Sequence, residues 1–280
     1  MTERRPIPEW KTPKARLLAA QPGWSVHEFI CTAGPGDRAF EEQHSRTSVA
    51  IVLSGTFQYR TTTGRELMSP GSLLLGNSGH AFTCGHEHAA GDRCISFHYS
   101  EEFLDHAGFG AERQRFRIPR IPPIRPLASL VASATGLLRP SADPASFEEI
   151  AFQLIDRATR LQKGLFPRRQ ASDAAAACAR VTRVLRAIEA EPDAPLTLRD
   201  MAAHAGLSPW HFLRCFEHLT GATPRQYLLR TRLRHAAIRL RDESTRVLDI
   251  AFDCGFGDVS NFNRAFRAEF GRSPRAFRAA

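Results

Sequence analysis

Two cysteines and three histidines, the side chains best suited to bind a thiophilic metal ion or to react with oxidants, lie close together in this sequence of 280 residues. Their spacing is even, and in a β-strand even spacing places side chains on one face. These residues are Cys84, His86, His88, Cys94 and His98.

A β-hairpin is the element that would bring these side chains together. We expect strands over residues 83–88 and 94–99, joined by a turn centred on Gly91. The facing pairs would be Cys84 with His98 and His88 with Cys94, all on one face. Two thiols and two imidazoles arranged in this way could bind zinc or another thiophilic ion, or could sense oxidants. The alternative is a polar hairpin face without an ion, because the spacing matches no established zinc signature.

Side chains that could read DNA bases occur on two predicted helices near the C-terminus. Arginine pairs with guanine, asparagine pairs with adenine, and a tryptophan ring packs on thymine methyl groups. The candidates on the open faces are Trp210, His211 and Arg214 on one helix, and Ser260, Asn261, Asn263 and Arg264 on the other. The alternative is that both faces are merely solvated, but Arg214 and Arg264 align in two matched copies, which favours recognition.

The helices that carry these side chains belong to a repeat. Each copy has a small residue, a glycine that allows a sharp exit from the first helix, and a second helix. The offset is 49 for Ala202 with Ala251 and for Gly206 with Gly255, and 50 for Phe216 with Phe266, Gly221 with Gly271, Pro224 with Pro274 and Tyr227 with Phe277. Helix, tight turn and helix is the arrangement that places the second helix in a DNA major groove.

A long helix over residues 223–241 is predicted between the two copies, with one apolar stripe. A rigid spacer of this kind lets two recognition helices meet successive major grooves, about 34 Å apart. Basic side chains around it could neutralise phosphates and supply affinity without sequence information. The candidate phosphate ligands are Arg225, Arg230, Arg232 and Arg275.

Residues 173–280 resemble the DNA-binding domain of the AraC/XylS family of bacterial transcriptional regulators. The resemblance rests on Ile250–Phe256, Phe262–Phe266 and Phe270–Arg278. It implies a two-lobed domain of seven helices. It also implies that the base-reading positions are Trp210, His211 and Arg214 in the first lobe and Val259, Ser260, Asn263 and Arg264 in the second. Val259 departs from this polar pattern, because an apolar side chain can contact only a methyl group.

Short β-branched or apolar runs separated by glycine turns dominate residues 24–99. The predicted strands include Ser25–Cys31, Arg46–Leu53, Thr56–Tyr59 and Ser72–Leu75. Many short strands of this kind predict a small antiparallel β-barrel or sandwich, and a barrel of this size has room for one small ligand.

This region weakly resembles the cupin superfamily. Pro70–His80 is similar to the second cupin motif, although Asn77 stands where proline is usual and His80 comes one or two places early. The first cupin motif normally supplies two histidines and a glutamate to a metal ion, and this chain offers only His44. The usual cupin metal site is therefore not expected. We expect His44, Tyr59, His80 and Phe82 to line the barrel interior and contact an effector.

Two amphipathic helices, residues 126–138 and 144–165, are predicted after the barrel. Their apolar stripes must be buried, and we expect them to form a dimer interface; the alternative is packing against the barrel. A flexible joint is expected at residues 167–172, and a further helix over residues 173–189.

Charge is distributed unevenly along the chain, whose net charge is +9. Residues 1–110 have 10 basic against 12 acidic side chains, residues 111–172 have 11 against 5, and residues 173–280 have 17 against 12. The basic second half favours a polyanionic partner. No signal peptide or membrane-spanning run is recognised, so we expect a cytoplasmic protein whose six cysteines form no disulfide framework.

These patterns together predict a multidomain transcriptional regulator without enzymatic activity. We expect it to bind promoter DNA as a homodimer, to contact RNA polymerase and to respond to a small-molecule or ion effector. The alternatives are a cupin metalloenzyme with a basic appendage and a DNA-binding protein without an effector. The expected segments are an arm at 1–20, a cupin-like sensor at 21–110, a helical linker at 111–166, the joint, and a DNA-binding domain at 173–280 with helix-turn-helix motifs at about 198–218 and 247–269.

Overall fold

A computed structural model describes residues 13–37, 39–88, 90–109, 116–140, 142–165 and 174–279. The chain divides into two compact units. The N-terminal unit comprises residues 1–121 and 137–170, and the C-terminal unit comprises residues 122–136 and 171–280. The expected joint at 167–172 and residues 1–12 of the expected arm lie outside the described residues.

Two antiparallel sheets form the N-terminal unit. The six-stranded sheet has the order β1-β2-β9-β4-β7-β10, and the four-stranded sheet has the order β3-β8-β5-β6. Apolar side chains from both sheets meet in one core, which includes Val52, Tyr59 and Met68. The strands are β1 Lys14–Gln21, β2 Trp24–Cys31, β3 Phe40–Gln43, β4 Thr47–Gly55, β5 Phe57–Thr61, β6 Gly64–Met68, β7 Leu73–Gly76, β8 Ala81–Gly85, β9 Asp92–Tyr99 and β10 Arg120–Ile121.

The prediction of a β-rich antiparallel region is confirmed, but the sheets are open and do not close into a barrel. The strands at the edges of the larger sheet explain the difference, because β10 has only two residues and β1 is largely exposed. Neither edge is hydrogen-bonded to the smaller sheet within the described residues. A cupin likeness is not confirmed.

The predicted hairpin of the cysteine and histidine cluster is wrong. β8 pairs with β3 and β5 in the smaller sheet, whereas β9 pairs with β2 and β4 in the larger one. Cys84 therefore lies opposite Tyr59, and Cys94 lies opposite Phe29 and Val52. The residues between β8 and β9 cross from one sheet to the other, because both strands carry apolar side chains into the core between the sheets.

Helices α1 (Glu101–His106) and α3 (Pro144–Gln162) complete the N-terminal unit. The apolar stripe of α3, including Ile150 and Leu154, is buried. The helix is fastened by the Tyr99 hydroxyl, which donates to the Ala151 carbonyl at 2.8 Å. This packing favours the alternative, packing against the sheets, and the expected dimer interface stays a prediction.

The predicted helical linker is divided between the two units. Helix α2 (Ala128–Gly136) belongs to the C-terminal unit, where it packs on helices α7 (Pro224–Asp242) and α9 (Val259–Phe270) and buries Ala132 in their core. Among the described residues, seven further α-helices belong to this unit, the number that the family resemblance implies. They are α4 Ala174–Ala190, α5 Leu198–Ala205, α6 Pro209–Thr220, α7 Pro224–Asp242, α8 Val247–Asp253, α9 Val259–Phe270 and α10 Pro274–Arg278. Among the described helices, none combines the length and apolar character needed to cross a membrane.

Candidate nucleic-acid interface

The two copies of the repeat fold as two helix-turn-helix motifs with equivalent turns. Gly206 ends α5 with φ 62°, and Gly255 follows α8 with φ 83°, conformations that favour glycine. The second helices α6 and α9 both have 12 residues, and both end at a left-handed glycine, Gly221 or Gly271. The predicted repeat is therefore a repeat of structure.

Helix α6 presents the first recognition face. Ser208 caps the helix by accepting from the His211 amide, and Phe212 and Phe216 anchor the opposite face in the core. Trp210 is 67% exposed, and the Arg214 guanidinium lies 4.7 Å from the centre of its ring. This cation–π contact holds the arginine in a defined position on the open face.

Helix α9 presents the second face, and its exposed groups are smaller. Asp258 caps the helix by accepting from the Asn261 amide, while Phe262 and Phe266 are fully buried. Ser260, Asn261, Asn263 and Arg264 are exposed, whereas Val259 is only partly exposed. The predicted base-reading side chains of both lobes thus lie on the open faces of their helices.

The four predicted phosphate ligands fall into two groups. Arg225 and Arg275 are exposed at equivalent positions, each directly after the proline that starts α7 or α10. Arg230 donates to the Pro123 carbonyl at 2.7 Å and lies 3.7 Å from Glu269. Burial lowers the pKa of Arg230, although the charge of Glu269 opposes that effect.

Of the four predicted phosphate ligands, Arg232 makes the most hydrogen bonds within the protein. Its guanidinium donates to the carbonyls of Pro192 at 2.6 Å, Gly255 at 2.8 Å and Ala194 at 2.9 Å. It thereby ties the turn of the second helix-turn-helix to the loop before α5. The sequence showed only its position on a basic helix, so this structural contact could not be predicted.

Half-buried contacts inside the C-terminal unit also fix the long helix between the lobes. Glu189 on α4 accepts hydrogen bonds from Tyr227 at 2.9 Å, Thr231 at 3.1 Å and Arg234 at 2.7 Å, all on α7. Because one carboxylate serves three donors, α4 and α7 are held in one orientation. This fastening keeps α7 in place beside both recognition helices.

Three of the four predicted effector contacts meet inside the N-terminal unit. The His44 ring stacks on Phe82 at 4.2 Å, and its Nε2 lies 2.7 Å from the Tyr59 hydroxyl. Burial, with the charge of His80 as a smaller cause, lowers the pKa of His44 to about 4, so the ring is neutral near pH 7. The fourth residue, His80, lies at a more exposed position, where its Nδ1 is 2.9 Å from the Thr62 hydroxyl.

Two further histidines that the sequence did not single out for this interior contact each other. One of them, His98, has a pKa that is lowered by burial and, to a smaller extent, by nearby charges that include His44. The rings of His27 and His98 meet edge to face at 5.1 Å. His27 Nδ1 and His98 Nε2 are buried without a hydrogen-bond partner, which is costly unless another group completes them. The even spacing of these histidines along their strands was visible in the sequence. The pairing of the strands, which brings the histidines together, was not.

The predicted metal or redox set is not assembled. Cys84 and Cys94 share the core between the sheets, whereas His88 lies after β8 beside Glu87, and His98 lies opposite Ser25 and Ser48. Burial raises the pKa of both thiols well above the usual value, so neither is a ready thiolate. Within the described residues, these four do not form a common ligand group.

Comparisons with known proteins agree on the C-terminal part. A family model described as a helix-turn-helix domain matches residues 201–280. The right origin-binding protein of Escherichia coli (strain K12) is 37% identical over 91 residues, 32% of this chain and 32% of that protein. The regulatory protein SoxS of Salmonella typhimurium is 36% identical over 91 residues, 32% of this chain and 85% of SoxS. The similarity to the right origin-binding protein therefore spans about a third of that protein's length.

A solved structure from Chromobacterium violaceum, a transcriptional regulator with an AraC-type DNA-binding domain, is also similar. It is 30% identical, covers 38% of this chain and 94% of that chain, and has a TM-score of 0.36. The C-terminal unit is a DNA-binding domain with two helix-turn-helix motifs. The chain belongs to the AraC/XylS family of bacterial transcriptional regulators.

Proposed function

We propose that this protein binds specific DNA sequences and regulates transcription in response to an effector at its N-terminal unit. The observation that carries the proposal is the pair of equivalent helices α6 and α9. Each is fixed by a glycine turn and a capping side chain, and each exposes an arginine with polar neighbours. Such faces can enter a major groove and read bases.

The spacing between the lobes supports binding to successive grooves. Helix α7 has 19 residues, a length of about 28 Å at 1.5 Å per residue. Successive major grooves on one side of a duplex are about 34 Å apart. Exposed Arg225 and Arg275, one beside each lobe, would add phosphate contacts that do not depend on sequence.

An electrophoretic mobility shift with the DNA upstream of the protein's own gene tests this proposal. We expect a shift that survives unrelated competitor DNA and weakens steeply as salt rises. The Arg214→Ala/Arg264→Ala double variant should lose the preference for its site but keep the non-specific, salt-sensitive shift. Binding by the parent protein that shows no preference for any sequence would contradict the proposal.

Two observations support an effector site between the two sheets. The His44 ring stacks on Phe82, and a buried ring nitrogen of His27 and of His98 has no hydrogen-bond partner. Neutral imidazoles and a tyrosine hydroxyl suit a small ligand with a flat apolar part and a few hydrogen-bonding groups. A thermal-shift screen of small acids and aromatic compounds tests it. A true ligand should raise the melting temperature of the parent and lose that effect in the His98→Ala variant.

Membership of the family supports the remaining proposals on partners and location. We propose a homodimer that works in the cytoplasm and contacts RNA polymerase, with a dimer face other than the buried stripe of α3. The competing function, a metalloenzyme using His44 and His80, is disfavoured because the His44 Nε2 is directed at Tyr59 and the His80 Nδ1 at Thr62. Iron or manganese bound in purified protein and lost on His44→Ala would favour the enzyme instead.

A further inference from the structure

Three potential metal ligands of different chemistry converge at one end of the N-terminal unit. One ligand atom from each of Cys31, His86 and Asp92 lies within 4.8 Å of the other two. The side chains of His86 and Asp92 are 2% and 8% exposed, and Cys31 is buried as well. His86 Nε2 lies 2.7 Å from Asp92 Oδ2.

Strand pairing places these residues together. Cys31 ends β2 and Asp92 begins β9, and the two lie directly opposite each other in the larger sheet. His86 follows β8 and arrives from the smaller sheet. On the other side of Asp92 the paired residue is Gly55, in a left-handed conformation with backbone too close for a Cβ atom. The backbone of Asp92 is thus held between neighbouring strands on both sides.

Neighbouring groups orient two of the three side chains, Asp92 and His86. The Cys94 thiol lies 3.4 Å from Asp92 Oδ1 and donates to it, leaving Oδ2 directed at His86. The Phe57 ring packs 5.8 Å from the His86 ring and screens it from water. Support of this kind by outer groups is typical of metal sites, where it sets ligand orientation.

We propose that Cys31, His86 and Asp92 form a zinc site of this protein. Sulfur, imidazole nitrogen and carboxylate oxygen are the three ligand types that zinc uses, at about 2.0–2.3 Å. Neighbouring ligands around such an ion would be about 3.3–3.8 Å apart. His86 Nε2 and Asp92 Oδ2, now 2.7 Å apart, would therefore have to separate, whereas the longest distance in the group, up to 4.8 Å, would have to shorten. Magnesium and calcium prefer oxygen alone and suit this set poorly. Zinc usually takes four ligands, so one further ligand, such as a water molecule, would complete the site.

This site goes beyond the proposed regulation by DNA binding, and its test does not depend on DNA. The full-length protein is titrated with zinc in competition with a chromophoric chelator, and we expect one ion per chain. Loss of an outer-shell group typically weakens metal affinity 10–100-fold, so Cys31→Ser and Asp92→Asn should each cost about 100-fold or more. The control is Cys178→Ser, which changes a buried cysteine of α4 in the other unit and should bind zinc like the parent.

Circular dichroism shows whether the variants fold. If they do not fold, a spectroscopic measurement on the parent protein still tests the proposal. Cobalt substituted for zinc in the parent should give the near-ultraviolet absorption of a cobalt–thiolate bond. That band should persist in Cys178→Ser. Absence of the band, absence of zinc binding, or unchanged zinc affinity in a folded Cys31→Ser variant would each overturn the proposal.

Discussion

The stacking of Arg214 on Trp210 makes the two recognition helices chemically unequal. An arginine held over an aromatic ring has already lost part of its side-chain freedom, so less entropy is lost when it pairs with a base. Arg264 is exposed beside Ser260 and Asn263, which offer no aromatic surface on which to stack. The first lobe is therefore better prepared to discriminate between bases.

Arg214→Ala should relax base preference more than Arg264→Ala. Loss of a good bidentate contact to guanine costs about 1–3 kcal/mol of discrimination, and we expect the larger value at Arg214. Selection of binding sites from random DNA measures the preference at each position. Equal losses, or a larger loss for Arg264→Ala, would contradict the inequality of the lobes.

Arg225→Ala and Arg232→Ala should separate DNA affinity from stability. Arg225 is exposed, so its loss should weaken binding to all sequences and reduce the slope of log affinity against log salt by about 1, without changing the melting temperature. Arg232 donates to four carbonyls, so its loss should destabilise the C-terminal unit by about 2–3 kcal/mol. Filter binding over a salt series and thermal unfolding measure the two effects. A stable Arg232→Ala variant with a reduced salt slope would instead support its originally predicted phosphate role.

At the scale of elements, the two helix-turn-helix turns share a conformation but differ in their surroundings. A Cβ atom at Gly206 would meet nothing within 4 Å, whereas at Gly255 it would lie 2.8 Å from the Asp193 Cα and 2.9 Å from the Arg232 Cζ. A substitution at Gly206 therefore disturbs the backbone conformation alone. A substitution at Gly255 disturbs both the conformation and the close packing around it.

Gly255→Ala should destabilise the protein more than its equivalent, Gly206→Ala. A left-handed alanine costs about 1–2 kcal/mol at either position, and the contacts at Gly255 add to that cost. Chemical denaturation of both variants measures the difference. Similar midpoints would mean that the loop around Asp193 yields easily to the added methyl group.

The location of helix α2 is the largest difference between the predicted domain boundaries and the observed ones. Its Ala132 is buried against α7 and α9, and the Arg241 guanidinium donates to the Ala132 carbonyl at 2.7 Å. The segment 122–136 is therefore structurally part of the DNA-binding unit, although 37 residues separate it from the start of α4. A change in this helix acts directly on the packing of the second lobe.

Ala132→Glu should destabilise the C-terminal unit by about 2–3 kcal/mol, because it buries an unpaired carboxylate. Ser129→Glu is the matched control, since Ser129 is exposed on the same helix and should tolerate the charge. Thermal unfolding of the two variants beside the parent measures the effect. Equal melting temperatures would show that α2 contributes little to this unit.

At the scale of the whole molecule, acid pH should act on the N-terminal unit through two buried histidines. The N-terminal unit holds His44 and His98, and the pKa of each is lowered to about 4, with burial as the main cause. Nearby charges act in the same direction, from His80 on His44 and from His27, His44 and Arg46 on His98. The unfolded chain takes up these protons near pH 6.5, so the stabilisation present above that pH is lost as pH falls toward 4.

Acidification from pH 7 to pH 5 should therefore destabilise the N-terminal unit, by about 2 kcal/mol for each of the two histidines. Thermal unfolding followed by circular dichroism at both pH values measures the loss. A His44→Gln/His98→Gln variant should show a smaller difference between the two pH values. A parent protein whose melting temperature is unchanged at pH 5 would contradict the burial of neutral histidines.

The sequence by itself determined the features that depend on local order along the chain. The repeat, the glycine turns and the apolar phenylalanines at helical spacing predicted the helix-turn-helix motifs, because each depends on residues within a few positions of one another. The exposed positions of Trp210 and Arg214 followed from the same periodicity. The basic second half indicated the class of partner by charge alone.

Tertiary structure decided what depends on pairing between distant segments. Even spacing could not show that β8 and β9 lie in different sheets, because periodicity gives the face of a strand but not its neighbour. Cys31 and Asp92, 61 residues apart, meet only because β2 and β9 pair. An amphipathic stripe likewise states that α3 must be buried without stating against what. The partners of Arg232 and the place of α2 belong to the same class, since long-range packing sets them.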